Sequence, residues 1–262
     1  MQVSVTSSIG QNPERMIAID VGAGTQDILI YEAGTPYENL TKLVLPSQTR
    51  IVGSRIRAAT ERQRSIHLAG TIMGGGASSD AVKAHLAAGL RVSATPSAAR
   101  TIHNDLARVE AMGIEIREIA WEGSQLVECA DVDPVALRDG LERFGVDLPE
   151  VAAVAVQDHG YRPGAGNNEV RFDYLQSLIA DGGRLESMMF ESPPDGMTRM
   201  AGVQESWPGA WLMDTGTAAV MGSLGDPVVR AAAESSGAIL VNVGNMHTFA
   251  TLLRQGRLYG LF

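Results

Sequence analysis

Apolar and polar positions change their spacing several times along this chain of 262 residues. Two apolar runs flank a glycine turn in Met16-Ile-Ala-Ile-Asp20-Val-Gly22-Ala-Gly24-Thr25-Gln-Asp27-Ile-Leu-Ile-Tyr31, which reads as strand, turn and strand. Residues 44–46 close a third strand, and 49–64 carry a helical pattern. The strand pattern of 66–73 runs into Gly74-Gly75-Gly76, after which Ser78 or Ser79 caps a helix that Gly89 ends. A short strand over 90–94 precedes a helix from Pro96 to Met112, stopped by Gly113. Strands follow at 114–119 and 125–129, then a helix opened by Asp133 or Pro134. The continuous apolar run 151–156 suits a central strand buried on both faces. A helix covers 173–180, and helices over 215–224 and 227–235 lead into a second strand–turn–strand, Ala238-Ile-Leu-Val-Asn242-Val-Gly244-Asn245-Met-His247-Thr248-Phe-Ala-Thr-Leu-Leu253. The alternation predicts an α/β fold. The Pro-, Gly- and Met-rich stretch 191–208 reads as a boundary, giving a loose tail over 1–15, a first α/β domain over 16–195 and a second from 196 to 262. The last apolar run, 258–262, either closes a sheet or leads on into a C-terminal part missing from this chain.

The two glycine turns carry the candidate chemistry. Asn242 stands in the second where Asp20 stands in the first, and Val-Gly follows both. Gly22 and Gly24 let the backbone approach a ligand and aim successive N–H groups outward, and Thr25 adds a hydroxyl. Charge-assisted hydrogen bonds of this kind contribute roughly 1.5–3 kcal/mol each. Asp20 is placed to hold Mg²⁺ directly or through water. In the second turn Gly244, Asn245 and Thr248 supply matching donors, with His247 as a phosphate or substrate contact. Asn242 orients water or phosphate but anchors magnesium less well than a carboxylate. The plainer alternative is two ordinary hairpins, alike by chance, whose glycines only make the turns.

Composition narrows the field. A formal charge of −9 argues against a nucleic-acid partner. It also requires local donors and a metal cation if the ligand is an anionic nucleotide. Cys129 is the one cysteine, so an internal disulfide and a cysteine-based zinc or iron–sulfur site are excluded, in keeping with a reducing cytosol. No apolar run reaches the length of a membrane span, and residues 1–15 have no signal-peptide core.

Asp158 and His159 follow the 151–156 run, at the sheet edge where α/β proteins bind ligands. Asp158 is the candidate general base and His159 a proton shuttle or phosphate ligand, with Asn167, Asn168 and Arg171 close in sequence. The Gly74–Gly76 turn divides evenly between an anion site and a tight turn with a serine cap. His67, His85 and His103 read as structural or surface residues, the arginines of 49–64 as a solvated face, and the methionines near 188–200 as hinge packing.

The run Ile19-Asp20-Val-Gly22-Ala-Gly24-Thr25-Gln-Asp27 resembles a phosphate loop of the actin-like ATPase superfamily. The resemblance implies two ribonuclease-H-like α/β domains around a cleft that holds ATP and Mg²⁺, with the second hairpin as the second phosphate loop. Asp214-Thr-Gly216-Thr-Ala-Ala-Val-Met-Gly222 resembles the small-residue helix before that loop in dehydratase activators, and Gln157-Asp158-His159-Gly160 a sugar-kinase motif. Almost the whole chain is similar to an actin-like family called pyruvate formate-lyase activating enzyme-like, through Thr71-Ile-Met73-Gly-Gly-Gly76, Ala94-Thr95-Pro96-Ser-Ala-Ala-Arg100, Val156-Gln-Asp-His-Gly160 and Val243-Gly-Asn245-Met-His247-Thr248. A radical-SAM activase needs three cysteines for its cluster, which a single Cys129 does not supply. The expected function is therefore an ATP- and Mg²⁺-dependent phosphotransferase or ATPase acting on a small molecule. The alternatives are a nucleotide switch for a protein partner and a non-catalytic nucleotide-binding module, the latter favoured by Asn242 in place of an acid.

Overall fold

A computed structural model of the protein describes residues 13–165, 169–244 and 248–261. The chain begins as an antiparallel meander of β1 (Arg15–Val21), β2 (Thr25–Glu32) and β3 (Thr41–Pro46). Strict alternation sends Ile17, Ile19, Val21, Ile28 and Ile30 into the core and leaves Ala18, Asp20, Asp27 and Leu29 on the opposite face.

An inserted unit follows. Helix α1 (Gln48–Glu61) buries Val52, Ile56 and Ala59 and turns Arg50, Arg55 and Arg57 to solvent. Next come β4 (Ile66–Gly70), α2 (Gly76–Ala87), β5 (Val92–Ala94), α3 (Pro96–Ala99), α4 (Leu106–Ala111), β6 (Ile114–Ile116) and β7 (Gln125–Cys129). The strands form a parallel sheet in the order β6-β5-β4-β7. The single helix expected over 96–112 is two pieces, because Asp105 restarts it as an N-cap, accepting from the Ala107 N–H.

The chain then returns to the first sheet through α5 (Pro134–Glu142), β8 (Ala152–Val156), α6 (Glu169–Ala180), β9 (Met189–Phe190), α7 (Thr198–Ser206) and β10 (Trp211–Met213). The sheet order is β3-β2-β1-β8-β10-β9, with β8 parallel to both β1 and β10. Two expectations are corrected here. A domain boundary at 195/196 falls inside this sheet, since β10 pairs with β8. Strand β8 is buried on one face only: Ala152, Val154 and Val156 pack under α5 and α7, while Ala153 and Ala155 stay half-buried on the other side.

Helices α8 (Thr215–Ser223) and α9 (Pro227–Glu234) lead to β11 (Ala238–Val243), β12 (Thr248–Arg254) and β13 (Arg257–Leu261), an antiparallel sheet with its own small core around Val220, Leu253 and Leu258. The last apolar run closes this sheet as β13. No helix among the described residues is long and apolar enough to cross a membrane.

Two histidines give the inserted unit a pH dependence. His85 is fully buried with its Nδ1 2.7 Å from the Thr60 hydroxyl, and His67 is buried with Nδ1 2.8 Å from Ser93 Oγ. Burial lowers both pKa values, outweighing the Arg91 backbone contact at His85; Arg117 lowers His67 further. The unfolded chain takes up protons near pH 6.5, before the folded form does. Stability should therefore be full above that pH and fall below it. Urea unfolding of His85→Gln between pH 7.5 and 5 should show a shallower loss than the parent protein.

Candidate functional site

The first glycine turn is built tightly. The Gly22 N–H donates to the Thr25 carbonyl at 3.0 Å, and a Cβ on residue 22 would lie 2.7 Å from that oxygen. Gly24 has open space and an ordinary φ, so the fold requires glycine at 22 but not at 24. The start of α1 holds the turn from behind: the Ser47 hydroxyl donates to the Ala23 carbonyl, and the Ser47 N–H and Arg50 donate to that of Gly24. The N–H groups of Ala23 and Gly24 donate to nothing among the described residues. Two donors at an exposed turn can therefore meet an anion.

Beside the turn, strand register places Asp20 directly opposite Asp27. Like charges in that position destabilise a sheet unless a cation or a proton intervenes. Both side chains keep exposed surface, and the Thr25 hydroxyl donates to Asp27 at 3.2 Å. Surrounding protein lifts the Asp20 pKa, and the charges of Asp27 and Asp214 lift it further. Among the described residues neither Asp20 nor Asp27 has an ion-pair partner, and no three His, Cys, Asp or Glu side chains group to hold a metal by themselves. The carboxylate pair fits a cation that brings ligands of its own, as Mg²⁺ does with phosphates.

The second hairpin approaches the same place from another side. Asn242 faces α8 with Leu240 and pairs with Phe249, whose ring would lie 3.0 Å from a Cβ on Gly216 in the first turn of that helix. Asp214 caps α8 by accepting the Gly216 N–H at 2.9 Å, and Arg171 neutralises it through two hydrogen bonds of 2.8 and 3.1 Å. The α8 N-terminus thus adjoins the turn end of the second hairpin, and the Asp214 charge reaches Asp20 of the first. Gly244 and Thr248 are exposed at the tip, while Asn245 and His247 lie outside the described residues. Asn167 and Asn168 do so as well.

Asp158, the expected general base, is held by backbone groups. It is 3% exposed, and its two oxygens accept three backbone N–H groups, from Gly160 at 2.8 Å, Arg199 at 2.8 Å and Met200 at 2.9 Å. Burial raises its pKa against the opposing pull of those donors and of the Arg199 charge. In this geometry Asp158 ties the start of α7 to the end of β8. His159 is exposed beside it. The Gly74–Gly76 turn is likewise occupied by the protein itself: a Cβ on Gly74 would lie 2.5 Å from the Arg199 guanidinium. Residues to which the sequence assigns no role include Asp27, Asp214 and the buried pair Asp131–Arg199, while Arg171, expected beside Asp158, pairs with Asp214 instead. The period-two step from Asp27 to Leu29, opposite Asp20 and Ala18, carried the one local signal, for Asp27.

Apart from Asp20, Asp27 and Lys42, the face that holds Asp20 is apolar over these strands. Register lays out one row of Val44, Asp27, Asp20, Ala155 and Met213 across the strands, and a second of Lys42, Leu29, Ala18, Ala153 and Trp211. Together they line a cavity of about 450 Å³.

The family model described as "Putative pyruvate format-lyase activating enzyme (DUF1786)" matches residues 73–262. No curated protein matches the chain.

Proposed function

The chain belongs to the DUF1786 family, and from that premise we propose that it is an actin-like ATPase or phosphotransferase that binds ATP with Mg²⁺ and acts on a small molecule in the cytosol. The observation that carries this reading is the first turn, where the free N–H groups of Ala23 and Gly24 adjoin the unpaired carboxylates Asp20 and Asp27. A donor pair for phosphate beside an acidic pair for its counter-cation is what a metal–polyphosphate ligand needs. The turn end of the second hairpin, at the helix end whose Asp214 charge reaches Asp20, supports it. The Ala23 and Gly24 N–H groups and the Thr25 hydroxyl would hold one end of the phosphate chain, in a turn that Gly22 shapes, with Asn242, Gly244, Asn245, His247 and Thr248 at the other. Asp20 would hold Mg²⁺, which when bound neutralises phosphate charge. Positioning and neutralisation supply most of the rate in such transfers. The buried single thiol of Cys129, pushed up to about 12 by burial, does not suit the cluster chemistry that the family description suggests.

A second reading is a nucleotide switch that acts on a partner protein. The neutral Asn242 and the fully engaged Asp158 favour it, since both weaken the case for rapid turnover.

Thermal unfolding with and without Mg·ATP, Mg·ADP and EDTA tests the binding. A nucleotide at about 100 times its Kd should add about 2.7 kcal/mol. Asp20→Asn should remove the magnesium-dependent part. Gly24→Ala, which the fold accommodates, should leave the apo midpoint in place. Absence of a shift with every nucleotide would overturn the proposal.

A further inference from the structure

The cavity around Asp20 has features that a nucleotide does not explain. Its central strands, β1 and β8, contribute only the small side chains of Ala18, Ala153 and Ala155 beside Asp20. The flanking strand β10 contributes the large side chains of Trp211 and Met213. Side-chain size therefore hollows the sheet face into a trough, and its volume of about 450 Å³ is that of a small-molecule site. Two carboxylates lie in this apolar floor without an ion-pair partner among the described residues. Lys42, which also lines the trough, is engaged at its rim rather than by the carboxylates: its ammonium donates to the Tyr37 carbonyl at 2.5 Å and sits 3.9 Å from the centre of the Tyr37 ring.

We propose that this trough binds a small amphiphile with an apolar body and a protonated primary amine. The amine meets Asp20 and Asp27, and the body lies over Ala18, Ala153 and Ala155 against Trp211 and Met213. The ammonium supplies the charge the carboxylate pair lacks, and the alanines leave room for a chain that larger residues would exclude. An anionic head is repelled by the same pair. The proposal goes beyond the nucleotide reading and stands without it.

Calorimetric titration of the full chain at pH 7 without nucleotide, using n-hexylamine, n-octylamine, 1-octanol and octanoate, tests it. One site is expected. Octylamine should bind about tenfold more tightly than hexylamine, from two further buried methylenes. Octanol should bind at least about tenfold more weakly than octylamine, because it forgoes the charge-assisted contact, and octanoate should not bind. Asp27→Asn should narrow the gap between amine and alcohol and keep the chain-length dependence. Ala155→Met should weaken the whole series. Equal binding of all three octyl compounds, no binding of octylamine, or indifference to Ala155→Met would overturn the proposal. A Mg·ATP shift without an amine response overturns this inference alone. An amine response without any nucleotide shift upholds it and overturns the nucleotide reading.

Discussion

Arg199→Met is expected to lower the unfolding free energy by about 3–5 kcal/mol, seen as a lower urea midpoint with an unchanged slope. Arg199 Nε and Nη2 donate to the two oxygens of Asp131 at 2.6 and 2.7 Å, and Nη1 donates to the Gln157 carbonyl at 2.8 Å. The Asp131 side chain is 2% exposed. Burial alone would lower the Arg199 pKa, but the carboxylates of Asp131, Asp158 and Asp214 outweigh it and raise the value. Without the guanidinium, Asp131 keeps only the Gly74 N–H, at 3.0 Å, and a buried charge is left nearly bare. The loss should be cooperative, because the pair joins two units: Asp131 follows β7 of the inserted sheet, and Arg199 lies in the first turn of α7 over the main sheet. Combining Arg199→Met with Asp131→Asn should recover part of the loss, since the second change removes the stranded charge. A single variant within about 0.5 kcal/mol of the parent would show that the pair does not hold the units together.

That pair also explains why one motif was misleading. The crevice at the carboxyl ends of β4 and β7 is where the strand order β6-β5-β4-β7 reverses, the place open parallel sheets use for ligands. The glycines that follow β4 carry the signature of such a site, yet Arg199, more than 120 positions later in the chain, fills it. Elements set by local pattern were legible: both hairpins, the exposed arginine face of α1, and the helices capped by Asp133 and Asp226. What depended on a distant partner was not. The apolar run 152–156 does not say whether one face or two will be covered, so the open alanine face of β8 was invisible. The three residues of β10 are too few to show a period, which hid the true extent of the first sheet. At the candidate site Asp20, Gly22 and Gly24 were readable from one short segment. The opposition of Asp27 to Asp20 needed the strand register, and the approach of α8 needed the tertiary fold.

Asp158→Ala should cost about 2–4 kcal/mol of stability, because it strips the acceptor from three backbone N–H groups, two of them in the first turn of α7. Asp158→Asn should cost less. The amide oxygen can still serve the Arg199 and Met200 N–H groups, which share one carboxylate oxygen in the parent, and only the Gly160 donor is left without its acceptor. The contrast separates a structural acceptor from a general base. A base loses its function on conversion to the amide while the fold is spared, so Asp158→Asn would then abolish turnover at near-parental stability. A structural acceptor gives the graded series of parent, Asn and Ala in urea midpoint, with any Mg·ATP shift preserved when each variant is measured against its own baseline. The Asn variant bears most directly on the chemistry: a stable protein that binds nucleotide but has lost a turnover the parent possesses would return Asp158 to the reaction. A graded loss of stability with turnover per folded molecule intact would leave proton transfer to the exposed pair of Asp20 and Asp27, the carboxylates that a ligand in the trough can reach.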